Sequence, residues 1–392
     1  MNSFDKIIDR KETNSIKWDF VNFMYPKLNH DVLPLWVADM DFQCSSEITR
    51  ALNKRVNHKI FGYSYFDQEY YDIVKKWFKE NYSYEIKEKE INYSPGVVPA
   101  IGILINILTE KGDGVIIQPP VYGPFKSTIT ANNRKVVKNH LINDNDNYYI
   151  NFKDLERKVK NPNNKLLILC SPHNPVGRVW TKEELKKIVK ICTENDIYII
   201  VDEIHCDLIR SSIEFTSMGT LKNNIKNKLI ICTSPSKSFN LAGLQLSNII
   251  IFSSKIKKKW TDEIVKKMHL GLPSPFAITA TKAAYSKGKP WLIKANKYID
   301  DNFKFLEEYL NEHLPKVKYI IPEGTYLAWL NFSEYNLSDE EINDRMLNKG
   351  KVAFNRGILF GKDGEKYQRI NVACPREILK EALIRIELAL EK

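Results

Sequence analysis

The sequence predicts an α/β protein: a large domain built on a mostly parallel sheet flanked by helices, joined to a smaller α+β domain. Three observations carry this reading. Apolar runs of strand length recur at Val115-Ile116-Ile117, Leu166-Leu167-Ile168-Leu169-Cys170, Ile197-Tyr198-Ile199-Ile200-Val201 and Leu229-Ile230-Ile231-Cys232. They are continuous rather than alternating, as strands buried on both faces of a parallel sheet are. The last three are spaced by roughly 30 residues, the length of a βαβ unit, and one intervening segment is amphipathic and opens on the capping box Thr181-x-x-Glu184.

With 392 residues, against a domain size of about 150, two domains are expected. The boundaries fall at 1–45 for an N-terminal arm that also contributes to the small domain, 46–286 for the large domain and 287–392 for the C-terminal small domain. No apolar run approaches the ~20 residues of a membrane span, and the start, Met1-Asn2-Ser3-Phe4-Asp5-Lys6, carries no signal-peptide apolar region. The expectation is a cytoplasmic protein. Its six cysteines form no C-x-x-C pair and two lie in predicted strands, so they read as reduced core residues, with no metal site. The net charge of +11 raises nucleic acid as a partner, but the lysines are spread along helix faces. The tightest cluster, Lys255-Ile256-Lys257-Lys258-Lys259, lacks interleaved aromatics, and no nucleic-acid partner is expected.

Taken in order, the arm contains Pro34-Leu35-Trp36-Val37-Ala38-Asp39-Met40-Asp41-Phe42. This is either a short strand sealing a core edge or backbone lying over a substrate. A helix starts near Ser45-Ser46-Glu47, whose serines suit N-caps. The tyrosines of Phe61-Gly62-Tyr63-Ser64-Tyr65 are either core or project from a loop into a neighbouring subunit's site. Ser94-Pro95-Gly96-Val97-Val98-Pro99-Ala100-Ile101 opens a helix to about Thr109 with unpaired N–H groups suited to phosphate. There is no Walker A loop and no G-x-G-x-x-G.

Each apolar run then leads into a polar or aromatic residue. Tyr122 follows the first, Asn174 the second, Asp202 the third, and Lys237, in Thr233-Ser234-Pro235-Ser236-Lys237-Ser238, the fourth. Parallel strands place ligands outside their carboxyl ends, so these four converge on one rim. A long helix is predicted from about Pro290 to His313. Tyr319-Ile320-Ile321 and Tyr326-Leu327-Ala328-Trp329-Leu330 belong to the smaller domain. Arg369, within the strand-like Tyr367-Gln368-Arg369-Ile370-Asn371, either reaches solvent or, pointing inward, clamps a carboxylate.

A lysine, a buried carboxylate, an amide and an aromatic ring beside an anion-binding helix start match the needs of pyridoxal phosphate. The lysine meets the aldehyde, the carboxylate keeps the pyridine nitrogen protonated, the amide binds the ring oxygen and the aromatic stacks on the ring. Seven motifs carry a resemblance in the same direction. They are Trp36-Val37-Ala38-Asp39-Met40-Asp41-Phe42, Pro95-Gly96-Val97-Val98-Pro99-Ala100, Pro120-Val121-Tyr122-Gly123-Pro124-Phe125, Ser171-Pro172-His173-Asn174-Pro175-Val176-Gly177, Asp202-Glu203-Ile204-His205, Ser234-Pro235-Ser236-Lys237 and Arg369-Ile370-Asn371-Val372-Ala373. Through them the chain resembles fold type I pyridoxal-phosphate enzymes of the aminotransferase class I/II superfamily, and within it the MalY/PatB branch of cystathionine β-lyases, or C–S lyases.

The resemblance implies the PLP-dependent transferase-like fold, pyridoxal 5'-phosphate as cofactor and a homodimer. It makes Lys237 the lysine that joins the cofactor, Asp202 the partner of the pyridine nitrogen and Tyr122 the stacking ring. Asn174, assisted by His205, would bind the ring oxygen. Val97, Val98, Ser234 and Ser236 would hold the phosphate, with Tyr63 reaching the other subunit's phosphate. Arg369, with Asn174 and Ala38, would bind the substrate. Where class I aminotransferases carry a phosphate-binding arginine eight residues after the lysine, this chain has Gln245 in Gly243-Leu244-Gln245-Leu246-Ser247. The implied reaction is α,β-elimination on cystathionine or another S-substituted cysteine, giving a thiol such as homocysteine, pyruvate and ammonia. Two alternatives stay open: an aminotransferase of aromatic or broad specificity, and a regulator that binds a transcription factor.

Overall fold

The computed structural model describes residues 3–26, 28 and 30–391. Met1 and Asn2, where the signal-peptide reading began, lie outside the described residues. The central sheet has seven strands: β1 (Ile91–Ser94), β2 (Gly114–Ile117), β3 (Lys135–Lys138), β4 (Asn164–Cys170), β5 (Tyr198–Asp202), β6 (Leu229–Thr233) and β7 (Ser247–Ile251). Their spatial order is β1-β7-β6-β5-β4-β2-β3. All neighbouring pairs are parallel except those made by β7, which runs antiparallel to both β1 and β6.

The continuous apolar runs resolve into two faces. Val115, Ile117, Leu166, Ile168, Ile200, Ile230 and Ile249 belong to one buried cluster, while Ile116, Leu167, Leu169, Ile199, Val201, Ile231 and Ile250 belong to the other. Side chains alternate across the pleat, and both faces are covered, so every position is apolar. Each fully buried Val, Leu or Ile contributes roughly 1.5–3 kcal/mol relative to exposure, which leaves the strand ends free to carry polar groups.

The helix Val97–Leu108 is apolar on nearly all sides because it lies between the sheet and the helices Gly123–Ala131 and Ser254–Thr261. The helix Lys182–Glu194 has the predicted box in place: Thr181 accepts from the Glu184 N–H and Glu184 accepts from the Thr181 N–H. The crossover from β5 to β6 uses a 3₁₀ stretch, Met218–Asn224, in place of an α-helix.

A second, antiparallel sheet joins β8 (Leu327–Asn331), β9 (Asn355–Arg356) and β10 (Tyr367–Asn371) in the order β8-β10-β9. The helices Lys289–His313 and Arg376–Leu390 pack together beside it. Two apolar stretches outside the large sheet form no strand. Tyr319-Ile320-Ile321 forms no strand, because the only pairing in this stretch is a single bridge from Lys318 to Asn331. Residues 36–42 form none either: pairing stops after Leu33–Pro34, which lies parallel to Val352–Ala353. Among the described residues no helix is long and apolar enough to cross a membrane.

Candidate active site

The four strand-end residues do meet. A cavity of about 200 Å³, partly open to solvent, is walled by Tyr122, Asn174, Asp202 and Lys237. Asp202 is the last residue of β5, and Lys237 lies in a short helical turn, Pro235–Ser238, after β6. Asn174 and Tyr122 follow β4 and β2. The start of the helix at Val97, with Val98, also lines the cavity, as do Ser236 and Gln245. Gly96 caps that helix without a side-chain hydrogen bond. The first-turn N–H groups of a helix have no intrahelical acceptor, so this end presents donors and the positive end of the helix dipole.

Arg369 points inward from the central strand β10 and is buried, 3% exposed. Its Nη1 donates to Asn174 Oδ1 at 2.9 Å and its Nη2 to the Trp36 carbonyl at 3.0 Å, while its Nε is buried without a partner. The guanidinium thus ties the small sheet to the cavity wall.

The stretch 36–42 lies over the cavity as a strap, and side chains far away in sequence hold its carbonyls. Trp36 O accepts from Asn355 Nδ2 at 2.6 Å, Val37 O from Asn371 Nδ2 at 2.8 Å, and Met40 O and Phe42 O from Asn240 Nδ2 at 2.9 and 3.1 Å. Ala38 O accepts from Lys237 Nζ at 2.7 Å and from Tyr326 OH at 2.8 Å. Arg10 and the fully buried Lys17 clamp the strap's carboxylates, Arg10 on Asp39 and Asp41, Lys17 on Asp41 at 2.5 Å. Of the two readings of this segment, the placement of Ala38 in the cavity wall favours backbone over a ligand.

Burial dominates the site's electrostatics. It pulls the Lys237 amine down to about 8, with Asp39 and Asp202 opposing and Arg369 adding to the shift. It pushes Asp202 up to about 7, against a hydrogen bond from the Ile204 N–H and the charge of Lys237. His205 is driven well below its ordinary value by burial, then by Lys237 and Arg369, and is neutral. Arg369 falls to about 10 through burial, offset by the nearby hydroxyls of Tyr122 and Tyr326. Groups this far displaced, in one cavity, mark a site rather than a core.

These groups suit one flat, polar, anionic ligand. Asp202 takes one backbone donor at 3.0 Å, and His205 Nδ1 is buried without a partner. Asn174 commits its oxygen to Arg369, so its Nδ2 remains a donor. Pyridoxal phosphate asks for an amine, an acid opposite a ring nitrogen, an amide donor, an aromatic face and a helix start, and all five line this wall.

Of two further sequence-derived site residues, Ser234 lines the cavity and Tyr63 does not. The Ser234 hydroxyl accepts from the Ser236 N–H and donates to the Leu246 carbonyl at 2.6 Å. Its one proton is engaged in this turn. Tyr63 is 98% exposed and lies outside the cavity of its own chain. Sequence reasoning also missed Tyr326 and the asparagines that hold the strap, since no local pattern announces hydrogen bonds between residues this far apart in the chain.

Comparison with known proteins places the chain. The profile of the family described as aminotransferase class I and II matches residues 30–386. The protein named cystathionine beta-lyase PatB from Bacillus subtilis (strain 168) is 42% identical, covering 99% of this chain and 100% of that protein. The crystal structure of cystalysin from Treponema denticola, which contains a pyridoxal 5'-phosphate cofactor, superposes with a TM-score of 0.95 at 36% identity over 99% of this chain and 98% of that one. The PLP-bound C–S lyase from Staphylococcus hominis gives a TM-score of 0.93 at 37% identity, with the same coverage of both chains.

Proposed function

The chain belongs to the aminotransferase class I and II family, and from that premise we propose that it is a pyridoxal-phosphate-dependent C–S lyase acting on cystathionine or a related S-substituted cysteine. The observation that carries this reading is the single cavity walled by Lys237, Asp202, Asn174 and Tyr122, in a chain 42% identical to a protein named cystathionine beta-lyase.

When bound, pyridoxal phosphate supplies an electron sink for the pair left as the substrate's Cα–H bond breaks. In this reading Lys237 holds the cofactor through its amine, Asp202 faces the ring nitrogen and Tyr122 lies on the ring face. Asn174 Nδ2, with His205 beside it, reaches the ring oxygen. Val97, Val98 and Ser236 take the phosphate. Arg369 binds the substrate carboxylate, and the strap at Ala38 closes over it. Displaced by the substrate amine, Lys237 takes the Cα proton at Nζ. Its lowered pKa gives a useful fraction of free amine near neutral pH. The electron pair then forms a Cα–Cβ double bond as the thiolate leaves Cβ and takes up a proton. Lys237 would then take back its place on the cofactor and release the enamine, which hydrolyses to pyruvate and ammonia.

The exposure of Tyr63 fits a residue that serves the site of a second subunit, so the proposed assembly is a homodimer. We also assign the arm and small domain to 1–45 and 287–392, around a large domain of 46–286. The test is purified protein given L-cystathionine, with pyruvate release measured against keto-acid-dependent amino transfer. Pyruvate and thiol formed together support elimination. Fast transfer without pyruvate would make the protein an aminotransferase.

A further inference from the structure

Two donors share one oxygen above the cavity. Lys237 Nζ and Tyr326 OH both donate to the Ala38 carbonyl, at 2.7 and 2.8 Å. A carbonyl oxygen has two lone pairs, so this pair of donors fills it. Tyr326 is fully buried at the start of β8, its ring edge-on to His205 with centroids 5.7 Å apart. Burial raises its hydroxyl well above the ordinary value, so it stays a donor at every pH the protein meets. The acceptor is equally fixed, because Asn371 Nδ2 holds the carbonyls of Val37 and Asp39 on either side of Ala38.

We propose that Tyr326 is a positioning residue for the reaction: by occupying one lone pair of the Ala38 carbonyl, it leaves a single seat for the Lys237 amine. This rests on the reading of Lys237 as the group that takes the substrate's Cα proton. Two consequences follow. The amine has one docking geometry instead of two, which matters because a proton is transferred only across a hydrogen-bond distance. The phenol O–H also directs the positive end of its dipole at the oxygen on which the amine rests. That weakens the carbonyl as an acceptor for an ammonium and favours the neutral base. The other groups facing the amine are Asp39 on the strap and Asp202 at the end of β5, which favour the ammonium, and Arg369 on β10, which disfavours it. His205 and Tyr122 face it uncharged.

Tyr326→Phe removes the one oxygen and keeps the ring. Two readouts separate positioning from mere support of the fold. In full-length protein freed of cofactor, with its circular dichroism checked, the pH dependence of Lys237 acylation is followed by peptide mass spectrometry. In the holoenzyme, kcat and KM are measured against pH. The labelling midpoint of Tyr326→Phe moves upward, leaving about tenfold less free amine near neutrality, and kcat falls by a similar factor with KM little changed. An unchanged midpoint or an unchanged kcat in a folded variant overturns the proposal. Should Tyr326→Phe not fold, Asn371→Ser, which frees the carbonyls beside Ala38, tests the same seat by the same labelling. A protein that takes up no pyridoxal phosphate would reject the lyase reading, while the labelling midpoint would still decide on the Tyr326 contact.

Discussion

Arg369 Nη1 lies 2.9 Å from Oδ1 of the cavity-lining Asn174, and this bond fixes which way the Asn174 amide faces. Because the oxygen meets the guanidinium, the NH₂ group is the end available to a ligand. One contact therefore links a β10 residue proposed to bind the substrate carboxylate with a residue after β4 proposed to bind the cofactor ring. Arg369→Lys keeps the charge but loses the planar fork. The expected result is a rise in KM that lowers kcat/KM by about 10²-fold, with a smaller change in kcat. Steady-state kinetics on cystathionine checks this, and a variant with parental KM would remove Arg369 from substrate binding.

Gln245 lines the cavity together with the helix start proposed to hold the phosphate, and no arginine is among the described residues that wall it. Its backbone is already left-handed, φ 54°, so a larger side chain there adds no new backbone cost. Gln245→Arg should slow cofactor loss on dialysis by about tenfold, through a charge-assisted contact to phosphate. Cofactor loss at the parental rate would place the phosphate elsewhere.

Glu203 is buried behind Asp202 and accepts from Ser217 Oγ and the Met218 N–H, both at 2.7 Å. Burial lifts its carboxyl to about 7 from an ordinary 4.5. Between those pH values the folded chain holds a proton that the unfolded chain has released, so stability falls as pH rises through this window. Asp202, also lifted to about 7, acts with the same sign. Glu203→Gln keeps the shape and should flatten the decline, as read from urea midpoints of cofactor-free protein at the two ends of the window. A decline of unchanged steepness would contradict the assignment.

Gly177 closes the loop that carries Asn174. Its φ is +72°, and an added Cβ would sit 2.2 Å from Pro322 Cβ. Gly177→Ala should cost roughly 2 kcal/mol or more, from left-handed strain plus displacement of the Pro322 turn. Thermal unfolding measures this, and a loss below about 0.5 kcal/mol would mean that the turn yields freely.

Much of this architecture was legible in the sequence because it is local. A buried parallel strand is a continuous apolar run, and the residue after it belongs to the rim, so Tyr122, Asn174, Asp202 and Lys237 could be placed together without coordinates. What escaped was non-local. β1, Ile91-Asn92-Tyr93-Ser94, has no apolar run to announce it, and the antiparallel placement of β7 cannot be read from its own residues. The strap at 36–42 has apolar strand chemistry, yet its carbonyls are bound by side chains distant in sequence, Lys237, Asn240, Tyr326, Asn355, Arg369 and Asn371, in place of a neighbouring strand. The turn bonds of Ser234 escaped for a related reason. A hydroxyl after a strand suits a phosphate or a turn equally well, and here the Leu246 carbonyl takes its proton.

The central claim is that one amine, Lys237, carries the cofactor while Asp202 faces it across the cavity. The most direct measurement is borohydride reduction of protein loaded with pyridoxal phosphate, followed by digestion and peptide mass spectrometry. The account predicts a single stable adduct, on Lys237, that Lys237→Ala abolishes and Asp202→Asn weakens by speeding cofactor loss. An adduct on another lysine, or none in folded protein saturated with the cofactor, would contradict it.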